Sequence, residues 1–125
     1  MMFQAQCRAF LARHELSHSP QVHTLDLASE VGEIAKAILE GSCYGESPLQ
    51  STPALEAELG DAFFSLIALA ESLHVDLETA LEDTLARYEA RLAARGHPGS
   101  RNSIVVASDL KRTTNDKEQI NADGN

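Results

Sequence analysis

The stretch Leu27-Ala28-Ser29-Glu30-Val31-Gly32-Glu33-Ile34-Ala35 decides the fold of this chain. Its apolar residues recur at helical spacing, which predicts an amphipathic helix with one buried face. Glu30 and Glu33 lie within it, three residues apart, so their Cβ atoms are about 5–6 Å apart on one side of the helix. Two carboxylates in apolar surroundings repel each other, and a divalent cation would offset that repulsion. The stretch therefore predicts both a helix and a metal site.

A second stretch repeats this pattern: Glu58-Leu59-Gly60-Asp61-Ala62-Phe63-Phe64-Ser65-Leu66. Two such helices facing each other would supply four carboxylates, the ligands that Mg²⁺ and Mn²⁺ prefer. Each pair also contains a glycine, Gly32 or Gly60, which costs about 1 kcal/mol relative to alanine inside a helix. We expect these glycines to let the two helices approach closely.

The rest of the pattern indicates an all-α protein. Apolar periodicity predicts four helices, at about 3–16, 22–40, 53–73 and 77–95. Ser51 or Thr52 is the predicted cap of the third helix, Asp76 caps the fourth, and Gly96-His97-Pro98 ends it. Aromatic residues make up only 5% of the chain and tryptophan is absent, so the core must consist mainly of leucine, alanine and isoleucine. Such a composition favours helices.

The 125 residues suit one domain. We predict a helical domain over residues 1–97 and a polar, flexible tail over residues 98–125, in which the apolar run 104–107 is the exception.

Charge, the length of apolar runs and cysteine spacing indicate which partners and which cellular compartment to expect. Residues 1–96 contain 15 acidic and 6 basic side chains, so we expect no nucleic-acid partner. Apolar runs such as 66–70 are far shorter than the roughly 20 residues needed to span a bilayer, so we expect no membrane partner. Cys7 and Cys43 lack a C-x-x-C spacing and follow no signal segment, which favours a reducing cytoplasm.

The two acidic stretches resemble the E-x-x-E and E-x-x-D motifs of the MazG-like, all-α nucleoside triphosphate pyrophosphohydrolases, and the likeness extends over residues 1–96. The resemblance implies a four-helix MazG-like bundle. It also implies Mg²⁺-dependent hydrolysis, with Mn²⁺ as a substitute, of nucleoside or deoxynucleoside triphosphates to the monophosphate and pyrophosphate. Non-standard nucleotides, dUTP and dCTP are among the substrates it suggests, and it implies assembly as a homodimer or homotetramer.

The same resemblance assigns roles to particular residues. The residues that match the family's metal-ligating acids are Glu30, Glu33, Glu58 and Asp61, and Glu33 or Glu30 is the expected general base. Apart from the resemblance, the basic residues that could bind the triphosphate are Lys36, Arg87 and Arg91. The alternative is an exposed face, with the arginines paired with Asp83 and Glu89 and with Lys36 beside Glu40. Ser29 departs from the pattern, because many relatives have a further acid at this position.

Two alternatives compete with this interpretation. A non-catalytic helical module, such as an adaptor or an antitoxin-like partner, would leave the acids solvated and would show no metal affinity. A di-iron bundle is suggested by Glu71-Ser72-Leu73-His74, although such sites need two Glu-x-x-His motifs and two further glutamates.

Phe63, Phe64 or Tyr44 could stack on a base, but phenylalanine at helical spacing is more typical of a core, where we also expect Cys7.

Overall fold

The computed structural model describes residues 2–99. It contains four helices, α1 (Met2–Arg13), α2 (Pro20–Gly41), α3 (Pro53–Ser72) and α4 (Leu77–Arg95), and no strand within those residues. This confirms the predicted all-α fold. Of the predicted tail, residues 100–125 lie outside the described part of the chain.

Polar side chains and prolines set where the helices begin. Ser19 accepts a hydrogen bond from the backbone N–H of Val22, and Pro20 follows it, so α2 begins two residues earlier than its apolar pattern predicts. The hydroxyl of Thr52 accepts one from Leu55 N–H at 3.2 Å, which identifies the cap of α3. Asp76 Oδ1 accepts one from Thr79 N–H at 2.8 Å, as predicted for α4.

Packing divides the chain into two compact units, with the boundary between Ala80 and Leu81 inside α4. In the first unit, α3 packs against both α2 and α1. Its core is built from small and aliphatic side chains, namely Leu11, Leu55, Ile67, Ala68 and Ala70. In the second unit, α4 ends at Arg95 and is followed by Gly96, whose φ of 77° glycine adopts more readily than residues with a Cβ.

Two polar residues of α1 connect it to the end of α3 and to the turn that follows α3. The side chain of Gln4 is buried; its amide donates to Val75 O at 2.7 Å and accepts from Leu77 N–H at 3.0 Å. Arg8 forms a bidentate ion pair with Glu71, at 2.6 and 3.0 Å. Because this pair engages both carboxylate oxygens of Glu71, it lowers the pKa of that carboxyl.

The prediction that the apolar faces of the helices are buried is wrong for the single chain over much of their length. On α2, Leu25 is 72% exposed and Val31 54%, and on α3 Leu59 is 52% exposed. No residue of α4 is buried. α2 packs against α3, and these exposed side chains show that the contact covers only part of the apolar face predicted for α2.

None of the helices within residues 2–99 combines the length and apolar content needed to cross a bilayer.

Candidate metal and active site

Three of the four predicted metal ligands converge where α2 and α3 pack together. Glu30, Glu58 and Asp61 each place a carboxylate oxygen within 4.8 Å of the others. Two of the three come from the pair on α3, and the third enters from α2, as expected if the acidic pairs lie on facing helices. We call these residues the carboxylate cluster.

The cluster raises the proton affinity of one of its members. Partial burial of Glu30 raises its pKa above the usual value. The nearby charges of Asp61 and Glu58 raise it further, followed by Glu33 and Asp26. Carboxylates held together in this way favour either protonation or a bound cation. Oxygen donors alone suit a hard divalent ion such as Mg²⁺.

Glu33 does not belong to the carboxylate cluster. It lies one turn further along α2, is exposed, and lines a cleft of about 400 Å³ beside Glu58. The same cleft contains Lys36 and the first turn of α3, including Thr52 and Ala54. We call it the charged cleft. It brings Glu33, one of the two predicted bases, together with a predicted phosphate ligand and a helix N-terminus next to the cluster.

Arg87 and Arg91 make contacts that are local to the second unit. Arg87 donates to Thr84 Oγ1 at 2.9 Å, while Arg91 donates to Pro98 O at 3.1 Å and lies 5.8 Å from the centre of the Tyr88 ring. The predicted phosphate-binding role of both arginines stays a prediction.

The sequence interpretation missed a second cleft, of about 540 Å³, beside the carboxylate cluster. It is lined by residues of α1 and α3, namely Gln6, Cys7, Phe10, Asp61 and Phe64. We call it the aromatic cleft. A signal was present, because Phe64 follows Asp61 by one helical turn and Phe10 follows Gln6 in the same way. Cys7 and Phe64, both expected in the core, are only half-buried here.

The role predicted for Gly32 and Gly60 is wrong. A Cβ built on either residue meets no atom within 4 Å among the described residues, so neither glycine permits a close helix contact there. The two helices approach closely enough to form the cluster without them.

Comparison with known proteins agrees with the geometry. The family model for the MazG nucleotide pyrophosphohydrolase domain matches residues 18–95, which contain both acidic pairs. The uncharacterized protein YpjD of Bacillus subtilis is 34% identical over 76 residues, covering 58% of this chain and 67% of YpjD. The crystal structure of YpjD superposes with a TM-score of 0.59 at 30% identity, covering 71% of this chain and 91% of that one.

Two mammalian enzymes are similar over most of this chain. The dCTP pyrophosphatase 1 of Mus musculus is 34% identical over 113 residues, or 84% of this chain, and that of Rattus norvegicus is 34% identical over 108 residues, or 80%. The chain spans 62% and 59% of their lengths. With the four helices, the carboxylate cluster and the family match over residues 18–95, the chain belongs to the MazG family of nucleotide pyrophosphohydrolases.

Proposed function

We propose that this protein is a Mg²⁺-dependent nucleoside triphosphate pyrophosphohydrolase that releases the nucleoside monophosphate and pyrophosphate. The observation that carries the proposal is the carboxylate cluster, in which α2 and α3 place three carboxylate oxygens within 4.8 Å in a member of this family.

The four acids divide the work in this proposal. The metal ligands are Glu30, Glu58 and Asp61, together with Glu33 from the adjoining turn of α2. A bound Mg²⁺ supplies charge neutralisation for the phosphate oxygens and activation of water, with Mn²⁺ as a possible substitute. Either Glu33 or Glu30 takes the proton of the attacking water. Because the water attacks in line with the departing group, a pyrophosphate that leaves into the charged cleft favours Glu30, which does not line that cleft.

Lys36 and the first turn of α3 receive the departing pyrophosphate. Both line the charged cleft, and the N-terminus of a helix attracts anions through the helix dipole. In α3 the N–H of Leu55 is already bonded to Thr52 and Pro53 has none, so the dipole rather than free N–H groups supports this role. Arg87 and Arg91 are further candidates for phosphate contact through their fixed guanidinium geometry.

The names of the mammalian relatives support deoxynucleotides as substrates. Both are named dCTP pyrophosphatase 1, so dCTP is the first substrate to test. It is followed by dUTP, the ordinary nucleoside triphosphates and the non-standard nucleoside triphosphates. Cys7 and Cys43 are both free thiols, which is compatible with the proposed cytoplasmic location.

We also propose that the protein works as a homodimer or homotetramer. The support is the number of large apolar side chains that the single chain leaves exposed, among them Leu25, Val31, Leu81 and Leu85. Large exposed apolar side chains in such number are typical of proteins that bury them against a partner.

Binding of metal distinguishes this proposal from a non-catalytic helical module. Because a ligand that binds only the folded state stabilises it, millimolar Mg²⁺ should raise the melting temperature of the wild type. The rise should disappear in Asp61→Asn and persist in Asp83→Asn, which makes the same change at an exposed residue of α4. An unchanged melting temperature in the wild type would contradict the proposal.

A further inference from the structure

We propose that the aromatic cleft binds the nucleobase of the substrate, so that the nucleotide lies across the carboxylate cluster with its base toward α1 and its terminal phosphates toward Lys36. This inference rests on the proposed function and adds the orientation of the substrate and the residues that contact the base.

The positions of the two clefts relative to the cluster give the direction. Asp61 belongs to the cluster and also lines the aromatic cleft, while Glu58 belongs to the cluster and also lines the charged cleft. Asp61 and Glu58 are one turn apart on α3. A phosphate held at the cluster therefore adjoins the aromatic cleft through Asp61, and through Glu58 it adjoins the charged cleft, where Lys36 lies with Glu33 and Glu40. A nucleoside triphosphate has the same order of parts: an aromatic base, then the α-phosphate, then the terminal phosphates.

The walls of the aromatic cleft match a flat aromatic ligand. The Phe10 and Phe64 rings meet edge to face, with centroids 5.8 Å apart and an interplanar angle of 89°. Phe10 also contacts His14, whose ring centroid lies 4.6 Å away, and the Arg13 guanidinium lies over its ring at 5.9 Å from the centroid, yet Phe10 remains 40% exposed. A fixed ring with an accessible surface is a stacking platform for a base. The volume of about 540 Å³ lies in the range of small-molecule sites.

Gln6 adds a polar group to this apolar cleft. It is exposed, lines the cleft and lies one turn before Phe10 on α1. Its amide offers both a donor and an acceptor, the combination that pairs with the edge of a nucleobase. We infer that Gln6 contributes to the choice among bases, whereas Phe10 contributes binding to all of them.

The two cysteines provide a test that does not depend on turnover. Cys7 lines the aromatic cleft, whereas Cys43 is exposed in the loop after α2. Alkylation by iodoacetamide, followed by mass spectrometry, measures both thiols in one sample. With Mg²⁺ and the α,β-methylene analogue of dCTP, the alkylation rate of Cys7 should fall at least about fivefold while that of Cys43 stays constant.

Inorganic triphosphate with Mg²⁺ is the matched probe, because it has the phosphates but no base. It should leave the alkylation rate of Cys7 unchanged. Equal protection of Cys7 by inorganic triphosphate would overturn the inference. So would an unchanged alkylation rate of Cys7 when the protein is saturated with the analogue, as shown by a melting temperature that no longer rises. If the analogue does not bind and no triphosphate is hydrolysed, the proposed function itself is refuted.

Variants test the platform separately. Phe10→Leu should raise the KM for dCTP by roughly tenfold or more with little change in kcat, since stacking on one aromatic ring is worth about that factor. Phe3→Leu is the control, because Phe3 is also on α1, is 51% exposed and lies outside the cleft. Equal KM values in the two variants would overturn the inference, and so would a loss of affinity that coincides with a change in oligomer mass.

Gln6→Ala keeps the inference testable if Phe10→Leu does not fold, because an exposed side chain contributes little to stability. It should change the ratio of kcat/KM between dCTP and dUTP by at least about threefold. An unchanged ratio, together with an unchanged KM for both nucleotides, would contradict the role given to Gln6.

Discussion

Without a bound metal, the negative charge of Glu30 destabilises the folded protein. Its raised pKa means that folding is favoured when Glu30 is protonated, a contribution present below its ordinary pKa of 4.5 and lost as the pH rises through the higher folded value. In metal-free protein at pH 7, Glu30→Gln should therefore raise the melting temperature.

The pH dependence and the response to metal check this explanation. The stability difference between Glu30→Gln and the wild type should shrink as the pH falls toward and below 4.5, because the wild-type carboxyl takes up its proton over that range. Saturating Mg²⁺ should reverse the order, because the variant loses a ligand. Thermal melts across pH, with and without EDTA, measure both effects; a variant less stable than the wild type in EDTA at pH 7 would contradict the electrostatic account.

Gln4 is the polar residue on which the packing of α1 depends most directly. Gln4→Ala removes both hydrogen bonds to the turn between α3 and α4 and leaves Val75 O and Leu77 N–H without that partner. We expect a loss of about 1–3 kcal/mol in the free energy of unfolding. Urea denaturation measures it, and Gln6→Ala, an exposed glutamine on the same helix, should change stability by less than about 0.5 kcal/mol.

At the scale of single residues, local spacing predicted the cluster better than it predicted the clefts. Glu58 and Asp61 are one turn apart on one helix, so their proximity follows from sequence alone. The aromatic cleft depends on how α1 lies against α3, a long-range relation that spacing within a helix does not contain. Gln4 was missed for the same reason, since its partners are more than 70 residues away in the chain.

The glycines of the helices lead to a prediction at the scale of the element. A methyl group at position 60 meets no atom within 4 Å, so Gly60→Ala should stabilise α3 by about 0.5–1 kcal/mol. Gly41→Ala is the comparison, because there the added Cβ lies 3.0 Å from Leu49 Cδ1 and Leu49 must move. Urea denaturation should give a smaller gain, or a loss, for Gly41→Ala. Destabilisation by Gly60→Ala would show that another surface packs closely against this glycine.

The bounds of the helices were largely readable because capping is local. Thr52-Pro53 and Asp76 act through bonds to residues three positions away, and Gly96 ends α4 through its own backbone conformation. Burial was not readable in the same way. Apolar periodicity shows which side of α2 avoids water, but it does not show whether the chain itself covers that side, and Leu25 and Val31 remain exposed.

At the scale of the whole molecule, the exposed apolar surface predicts self-association. Leu25→Asp and Leu85→Asp replace side chains that are 72% and 52% exposed, so each should spare the fold of the single chain while weakening the oligomer. Light scattering coupled to size-exclusion chromatography should give a multiple of 13.5 kDa for the wild type and a lower mass for at least one variant. A monomeric wild type at micromolar concentration would contradict the proposed assembly.

The central claim is that the carboxylate cluster directs cleavage between the α- and β-phosphates, and the products of dCTP hydrolysis test it most directly. Phosphorus NMR of wild-type protein with dCTP and Mg²⁺ should show dCMP and pyrophosphate in equal amounts. The same spectrum should show no reaction in EDTA or with Asp61→Asn, and full reaction with Asp83→Asn. Release of orthophosphate with dCDP, or equal turnover by Asp61→Asn and the wild type, would contradict the account.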